Sequence, residues 1–237
     1  MKNGKTALYD DLKRQILTME LSPDEVLDEV GLSERYGLSR TPVREVFRRL
    51  AGEGYIDIQE NRGARVIAMN YSTLRNFFLV APMIYAAVAR LAVHNFKPAQ
   101  LEDLKQTQVR FRQATRSGDA LAMVLENNRF HEIMGEMAGN PYLEPSLGRL
   151  LIDHGRIGHT FYRPRDTQME ERLNLSADHH DAFIEAIERR DEDAVVELVF
   201  EHWELSRSNM EMFIAPQGLG ADGLGDIARS LKTLKGA

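Results

Sequence analysis

The sequence predicts a mainly α-helical protein: an N-terminal winged helix-turn-helix of three helices plus a β-hairpin over residues 1–69, followed by an all-α antiparallel bundle of six or seven helices over residues 70–215. Two observations carry this. Apolar residues recur at helical spacing along most of the chain, but between Ile56 and Ile67 they alternate with polar ones, the period of a strand. Beyond Tyr71 only the helical period is found, broken at KP (97–98), SGD (117–119), GNP (139–141), RPRD (163–166) and RRD (189–191). With 237 residues, 43% of them apolar, the chain is long enough to fill sizeable cores.

The first helix is expected from Thr6 to about Thr18, where Leu8, Leu12 and Ile16 form one stripe, with Pro23 marking a break afterwards. A second, from about Asp28 to Tyr36, stops at Gly37, the residue type favoured just past a helix C-terminus. After a tight turn, SRTPVREVFRRLAGEGY predicts a third helix beginning near Pro42, with Ser39 or Thr41 as cap. Its apolar stripe is Val43, Phe47 and Leu50, while Arg40, Arg44 and Arg48 fall on another face at four-residue intervals. The hairpin then pairs Ile56-Asp57-Ile58-Gln59 with Arg65-Val66-Ile67 across ENRG, where Gly63 suits a positive φ. MNYS, at 69–72, reads as a linker, and residues 216–237 as a loosely held tail.

The net charge of −6 argues against bulk attraction to nucleic acid, yet residues 40–65 carry six arginines against four acids. A basic third helix followed by a hairpin is the arrangement in which a recognition helix enters the DNA major groove and a wing reaches the backbone or minor groove. A solvated arginine face on a small α+β domain has the same composition. Arg40 and Arg44 each suit a guanine edge or a phosphate. Zero cysteines exclude disulfides, thiolate nucleophiles and Cys-ligated zinc, leaving His, Asp, Glu and Asn as metal ligands. No stretch approaches eighteen consecutive apolar residues, and the start has no apolar run suited to a signal peptide, so a cytoplasmic protein without membrane contact is expected.

LYDDLKRQIL, LSPDEVLDE and LSERYGLSRTPVREVFRRLAGEGYIDIQENRGARV together resemble the GntR family of bacterial transcription regulators. The resemblance implies that Ser39, Arg40, Thr41 and Arg44, with the wing at Asn61, Arg62 and Gly63, meet an operator; Arg48 continues the same stripe. Asp24 stands where the family usually has Gly, and Val30 where many members have an Arg that touches DNA. A symmetric homodimer reading a short inverted repeat of double-stranded DNA follows from that mode of recognition.

All seven histidines lie beyond residue 90, and three occupy apolar stripes: His131 beside Phe130 and Met134, His180 with Phe183, Ile184 and Ile187, His202 among Leu198, Val199 and Leu205. A lone histidine in such a place is ordinarily a hydrogen-bonded core residue. Three on different helices of one bundle can converge on a metal. NNRFHEIMGEMAGNPYL and HHDAFIEAIERRDEDAVVELVFEHWELS resemble the FCD effector-binding domain of the FadR branch of GntR regulators. This implies a divalent metal, zinc or nickel, held by Asn127, His131, His180 and His202.

Many members have Asp where this chain has Asn127. A neutral carbonyl oxygen leaves the ion its full charge, so the site holds metal less tightly and attracts an anion more strongly. A small organic acid is therefore the expected effector. The family's usual Arg-x-x-x-Glu anchors are replaced by Ala81 and Tyr85, which leaves Tyr85, His154 and Arg156, with His159 nearby, as candidates to bind it. Two other readings stay open: a purely structural metal in a DNA-binding regulator, and a helical phosphohydrolase using the His180-Asp181 dipeptide.

Overall fold

The computed structural model describes residues 2–59 and 63–214, with side chains for residues 4–59 and 63–207. Asn61 and Arg62 of the expected wing, and the tail 216–237, lie outside the described residues.

Helix α1 (Lys2–Leu17) starts earlier than its apolar pattern and buries Leu8, Leu12 and Ile16. Helix α2 (Glu29–Tyr36) is capped by Asp28, which accepts from the Val30 N–H, and ends at Gly37 in the left-handed conformation. Helix α3 (Arg40–Glu53) begins two residues before Pro42. Ser39 is its N-cap residue but makes no side-chain capping bond, so the hydroxyl expected to close the helix remains exposed. Val43, Val46, Phe47 and Leu50 face inward, while Arg40, Arg44 and Arg48 face outward.

The hairpin is β2 (Ile56–Gln59) with β3 (Gly63–Val66), pairing Ile56 with Val66 and Gln59 with Gly63. A two-residue strand, β1 (Val26–Leu27), pairs antiparallel with β3 and makes a three-stranded sheet of order β1-β3-β2. This strand was not expected, because two residues are too few to show a period. Alternation predicts both Ile56 and Ile58 on the inner face, yet Ile56 is buried and Ile58 exposed. Asp24, where the family usually has Gly, adopts φ 64° and donates its N–H to the Val66 carbonyl. A short polar side chain tolerates that region better than a branched or bulky one.

Among the described residues six helices follow: α4 (Tyr71–Asn95), α5 (Pro98–Ser117), α6 (Ala120–Ala138), α7 (Leu143–Phe161), α8 (Thr167–Arg189) and α9 (Glu192–Ile214). Their ends follow the punctuation in the sequence: Gly118 and Gly139 are left-handed C-caps, and Asp119 and Asp166 accept from backbone N–H groups at the starts of α6 and α8. The expected linker is shorter than MNYS, since Asn70 already caps α4.

Helix α4 corrects another expectation, for by length and composition it is apolar enough to cross a membrane. Its run is interrupted by Arg90, which hides it from a count of consecutive apolar residues. Here it is the central helix of the bundle, burying Leu74, Phe77, Ala81, Tyr85, Val88, Ala89, Ala92 and Val93 against α6, α7 and α9.

The winged helix and the bundle share apolar core. Leu8, Leu12, Phe47, Leu50 and Val66 belong to one continuous cluster with Phe111, Val124, Ile152, Phe161 and Tyr162 of the bundle. At this seam Arg156 of α7, whose side chain is 0% exposed, donates to Asp153 Oδ1 at 3.1 Å and to the Ile67 carbonyl, just past β3, at 2.6 Å. Replacing Arg156 by Met leaves the buried Asp153 carboxylate with only Arg149, 3.6 Å away. The expected cost is about 3 kcal/mol, the lower end of the range for breaking a buried pair, read as a lower urea midpoint at unchanged m-value.

Candidate metal centre and nucleic-acid interface

Three helices bring three imidazoles to one point. His131 of α6, His180 of α8 and His202 of α9 are all buried, and one ligand nitrogen from each lies within 4.8 Å of the others. Each sits on the stripe that turns its helix toward the core, so the packing of Phe130, Phe183 and Val199 also aims the histidines. The Phe130 and His180 rings stack at 4.1 Å and 4°. Asn127, one turn before His131 on α6, is 1% exposed.

The three histidines and Asn127 each carry a buried atom without a hydrogen-bond partner: His131 Nε2, His180 Nε2, His202 Nδ1 and Asn127 Oδ1. Burial holds all three imidazoles neutral. It pushes His180 down to about 3, assisted by His154, His179 and Arg112, and pushes His131 and His202 well below the ordinary histidine range, assisted by neighbouring histidines. Neutral imidazoles with free lone pairs and one amide oxygen make a donor set suited to a borderline divalent cation such as zinc or nickel. The residues fit the group that the sequence implied.

His154 of α7 joins the cluster, its ring 5.0 Å from that of His131, and its Nδ1 shares a 2.7 Å hydrogen bond with the Tyr85 hydroxyl. Burial lowers His154 to about 4. Tyr85, His131, His154 and His202 line an enclosed space with Val88, Met134, Leu147, Phe183, Val199 and Trp203. Its volume of ≈ 10 Å³ is about that of one water-sized sphere.

Arg156 does not line this space. Its guanidinium is directed to Asp153 and Ile67 at the seam, because α7 presents residues 154 and 156 to different sides. His159 also lies away from it, half-buried near the end of α7. Asp181 is likewise turned from the cluster and accepts from Arg112 Nε at 3.0 Å and Gln108 Nε2 at 2.9 Å. The dipeptide that suggested a phosphohydrolase therefore has no carboxylate at the centre. Sequence reasoning missed Gln108 and Trp203. Gln108 left a trace, as a polar residue on the α5 stripe of Leu104 and Phe111.

In the winged helix, Ser39, Arg40, Thr41, Arg44 and Arg48 are exposed on α3 or at its start. Arg44 and Arg48 border a groove with Glu29, Ile58 and Gly63 between α3 and the wing. Arg44 Nε donates to Glu29 Oε2 at 3.0 Å. Among the described residues Arg40 and Arg48 form no ion pair. Val30, exposed at the start of α2, adds no charge.

A winged helix carrying an exposed arginine stripe, packed on a helical bundle with a buried polar centre, is the architecture of a DNA-binding transcription regulator with a second, all-helical domain. Residues 5–66 match the family described as bacterial regulatory proteins, gntR family, and residues 82–205 match the FCD domain. The chain belongs to the GntR family of transcription regulators, in its FCD-bearing group, and is not an enzyme. It is 29% identical over 198 residues to the HTH-type transcriptional repressor RspR of Escherichia coli K12, covering 82% of this chain and 83% of that one. It is 26% identical over 153 residues to the HTH-type transcriptional regulator McbR of the same organism, covering 65% and 69%. The solved structure of E. coli McbR/YncC has the same fold, with TM-score 0.74, 20% identity, and coverage of 89% of this chain and 98% of that one. A putative GntR regulator from Rhodococcus sp. RHA1 also superposes, with TM-score 0.67, 15% identity and coverage of 90% and 99%.

Replacing Tyr85 by Phe removes the hydroxyl partner of the buried His154. The expected loss is about 1–2 kcal/mol of stability, seen as a lower melting temperature, with winged-helix DNA contacts unaltered.

Proposed function

We propose that this regulator holds a divalent cation, zinc or nickel, on Asn127, His131, His180 and His202, and that a small organic acid bound beside it controls operator affinity. The observation that carries this reading is the convergence of three buried histidines with unpartnered ring nitrogens, with the buried, unpartnered Asn127 Oδ1 one helical turn before His131. When bound, the cation supplies a positive charge and open coordination positions for a carboxylate. Tyr85 and His154 offer polar groups beside it, while Val88, Met134 and Trp203 exclude water. None of the residues lining the space is a lysine or arginine, so the charge attracting an acid comes from the centre itself.

The tight space supports a ligand-driven change of shape, since an organic acid larger than one water must displace lining side chains. Helix α7 provides the connection outward: His154 faces the ligand space, while Asp153 and Arg156, on the same turn, hold the chain just beyond the wing. A ligand that favours one setting of α7 thereby favours one placement of the winged helices. Residues 1–69 then serve DNA binding and residues 70–215 serve effector binding and dimerisation, in the cytoplasm where operator DNA lies.

Reading a short inverted repeat requires two chains. The outward face of α4, with exposed Leu79, Val80 and Met83, supplies an apolar surface suited to an isologous contact between bundles. Met83→Glu is expected to convert a dimer to monomer in sedimentation at micromolar concentration, with the fold retained.

On DNA, Ser39, Arg40, Thr41, Arg44 and Arg48 meet the operator together with the wing at Asn61, Arg62 and Gly63. Arg44 must exchange Glu29 for the DNA. Arg44→Ala is expected to weaken operator binding by about 1–3 kcal/mol if it reads a base, and to reduce the salt slope by about one if it holds a phosphate. Gel-shift titration across salt concentrations distinguishes the two, and unchanged binding would remove Arg44 from the interface.

The effector reading is tested by measuring operator affinity with a panel of small carboxylates, with and without chelator, on protein whose metal content is known. One acid is expected to shift the affinity, and the shift to vanish on chelation. Metal retained with no response to any acid would instead favour a structural ion.

A further inference from the structure

The hydrogen bonds around Gln108 determine which nitrogen of His180 faces the centre. Gln108 lies on α5 opposite α8 and is 3% exposed. Its amide nitrogen donates to the Ala177 carbonyl at 2.8 Å and to Asp181 Oδ1 at 2.9 Å. A backbone carbonyl only accepts, so the amide nitrogen is fixed on that side, and its two hydrogens are both used. The amide oxygen is thereby turned toward His180 Nδ1, 3.1 Å away. An amide oxygen also only accepts, so Nδ1 must carry the imidazole proton. In a neutral ring the lone pair then lies on Nε2, the buried atom without a partner. Phe130, stacked on one face, and Phe111, with its centroid 4.9 Å away, hold the ring plane.

We propose that Gln108 is a positioning residue of the candidate metal centre: it locks His180 as the Nδ1–H tautomer and presents Nε2 as the ligand. The inference about metal rests on the reading under Proposed function; the tautomer does not. Gln108 is itself anchored, because Asp181 also accepts from Arg112, whose Nη2 donates to Asp178 at 2.6 Å. The outer partner of a metal-binding histidine is commonly a carboxylate, a backbone carbonyl or water. Here it is a neutral side-chain amide, with the nearest acid one step further out and balanced by an arginine. Asn127 in the inner layer is neutral as well. Neither Asn127 nor Gln108 adds negative charge beside the centre, which leaves the charge of a bound cation available to an anionic ligand.

The test uses full-length protein, stripped by chelator and titrated with Co²⁺ and Zn²⁺ against a chromophoric competitor. Gln108→Met is expected to weaken metal binding about 10–100-fold and to alter the visible spectrum of the Co²⁺ form. Lys105→Met breaks an ion pair between the same two helices, with Glu188, but touches neither Gln108 nor Asp181, and should bind within about twofold of wild type. Separately, long-range ¹H–¹⁵N spectra of metal-free wild-type protein, with the His180 signal assigned through its loss in His180→Gln, should show the Nδ1–H tautomer.

Equal metal affinity and spectrum in Gln108→Met and wild type would overturn the positioning role, as would an equal loss in Lys105→Met. An Nε2–H tautomer for His180 in wild type overturns it without requiring any variant to fold. Wild-type protein that binds neither ion overturns the metal reading itself and the metal-positioning role with it, while the tautomer spectrum still decides what Gln108 does to His180.

Discussion

A polar atom taken out of water must find a partner or burden the fold with its desolvation, and the bundle of this chain brings three histidines with such atoms together. The rest of the domain is arranged so that this can be borne. Phe130 stacks on His180 and Gln108 secures its far nitrogen, so this ring has a defined orientation even though its Nε2 has no protein partner, and Tyr85 engages the neighbouring His154. An apolar core would be satisfied by leucines at the same positions.

The second organising feature is the seam between the winged helix and the bundle. Because their apolar residues form one continuous cluster, the two regions are not beads on a flexible string. Arg156 adds a directional contact to the nonpolar one, tying α7 to the backbone carbonyl of Ile67. Helix α7 therefore faces two ways within two residues: position 154 lines the enclosed space of the bundle and position 156 meets the winged helix.

Much of this was legible in the sequence wherever the determining physics is local. Helix ends were readable because Gly37, Gly118 and Gly139 supply left-handed caps and Asp28, Asp119 and Asp166 satisfy free N–H groups within a few residues. His131, His180 and His202 stood out as polar residues on apolar stripes, and the structure brings them together. Contacts between residues far apart in the chain were not legible. Arg156 looked like a ligand clamp because nothing near it in sequence reveals Ile67, 89 residues away. Gln108 was hidden for the same reason, its histidine partner lying 72 residues later. Strand β1 is too short for a period, and the exposure of Ile58 depends on where the sheet ends rather than on alternation.

Helix α4 has a consequence for how the protein is made. Its long apolar run leaves the ribosome before α6, α7 and α9, the helices that later cover it, have been synthesised. For that interval a segment with the composition of a membrane span has none of its eventual helical neighbours. The winged helix, complete by then, can cover little of it, because the residues buried along α4 pack in the core cluster of the bundle. Maturation of the helical domain must accordingly wait for the last helix of the bundle, and until then α4 is a part of the nascent chain exposed to holding chaperones and to self-association.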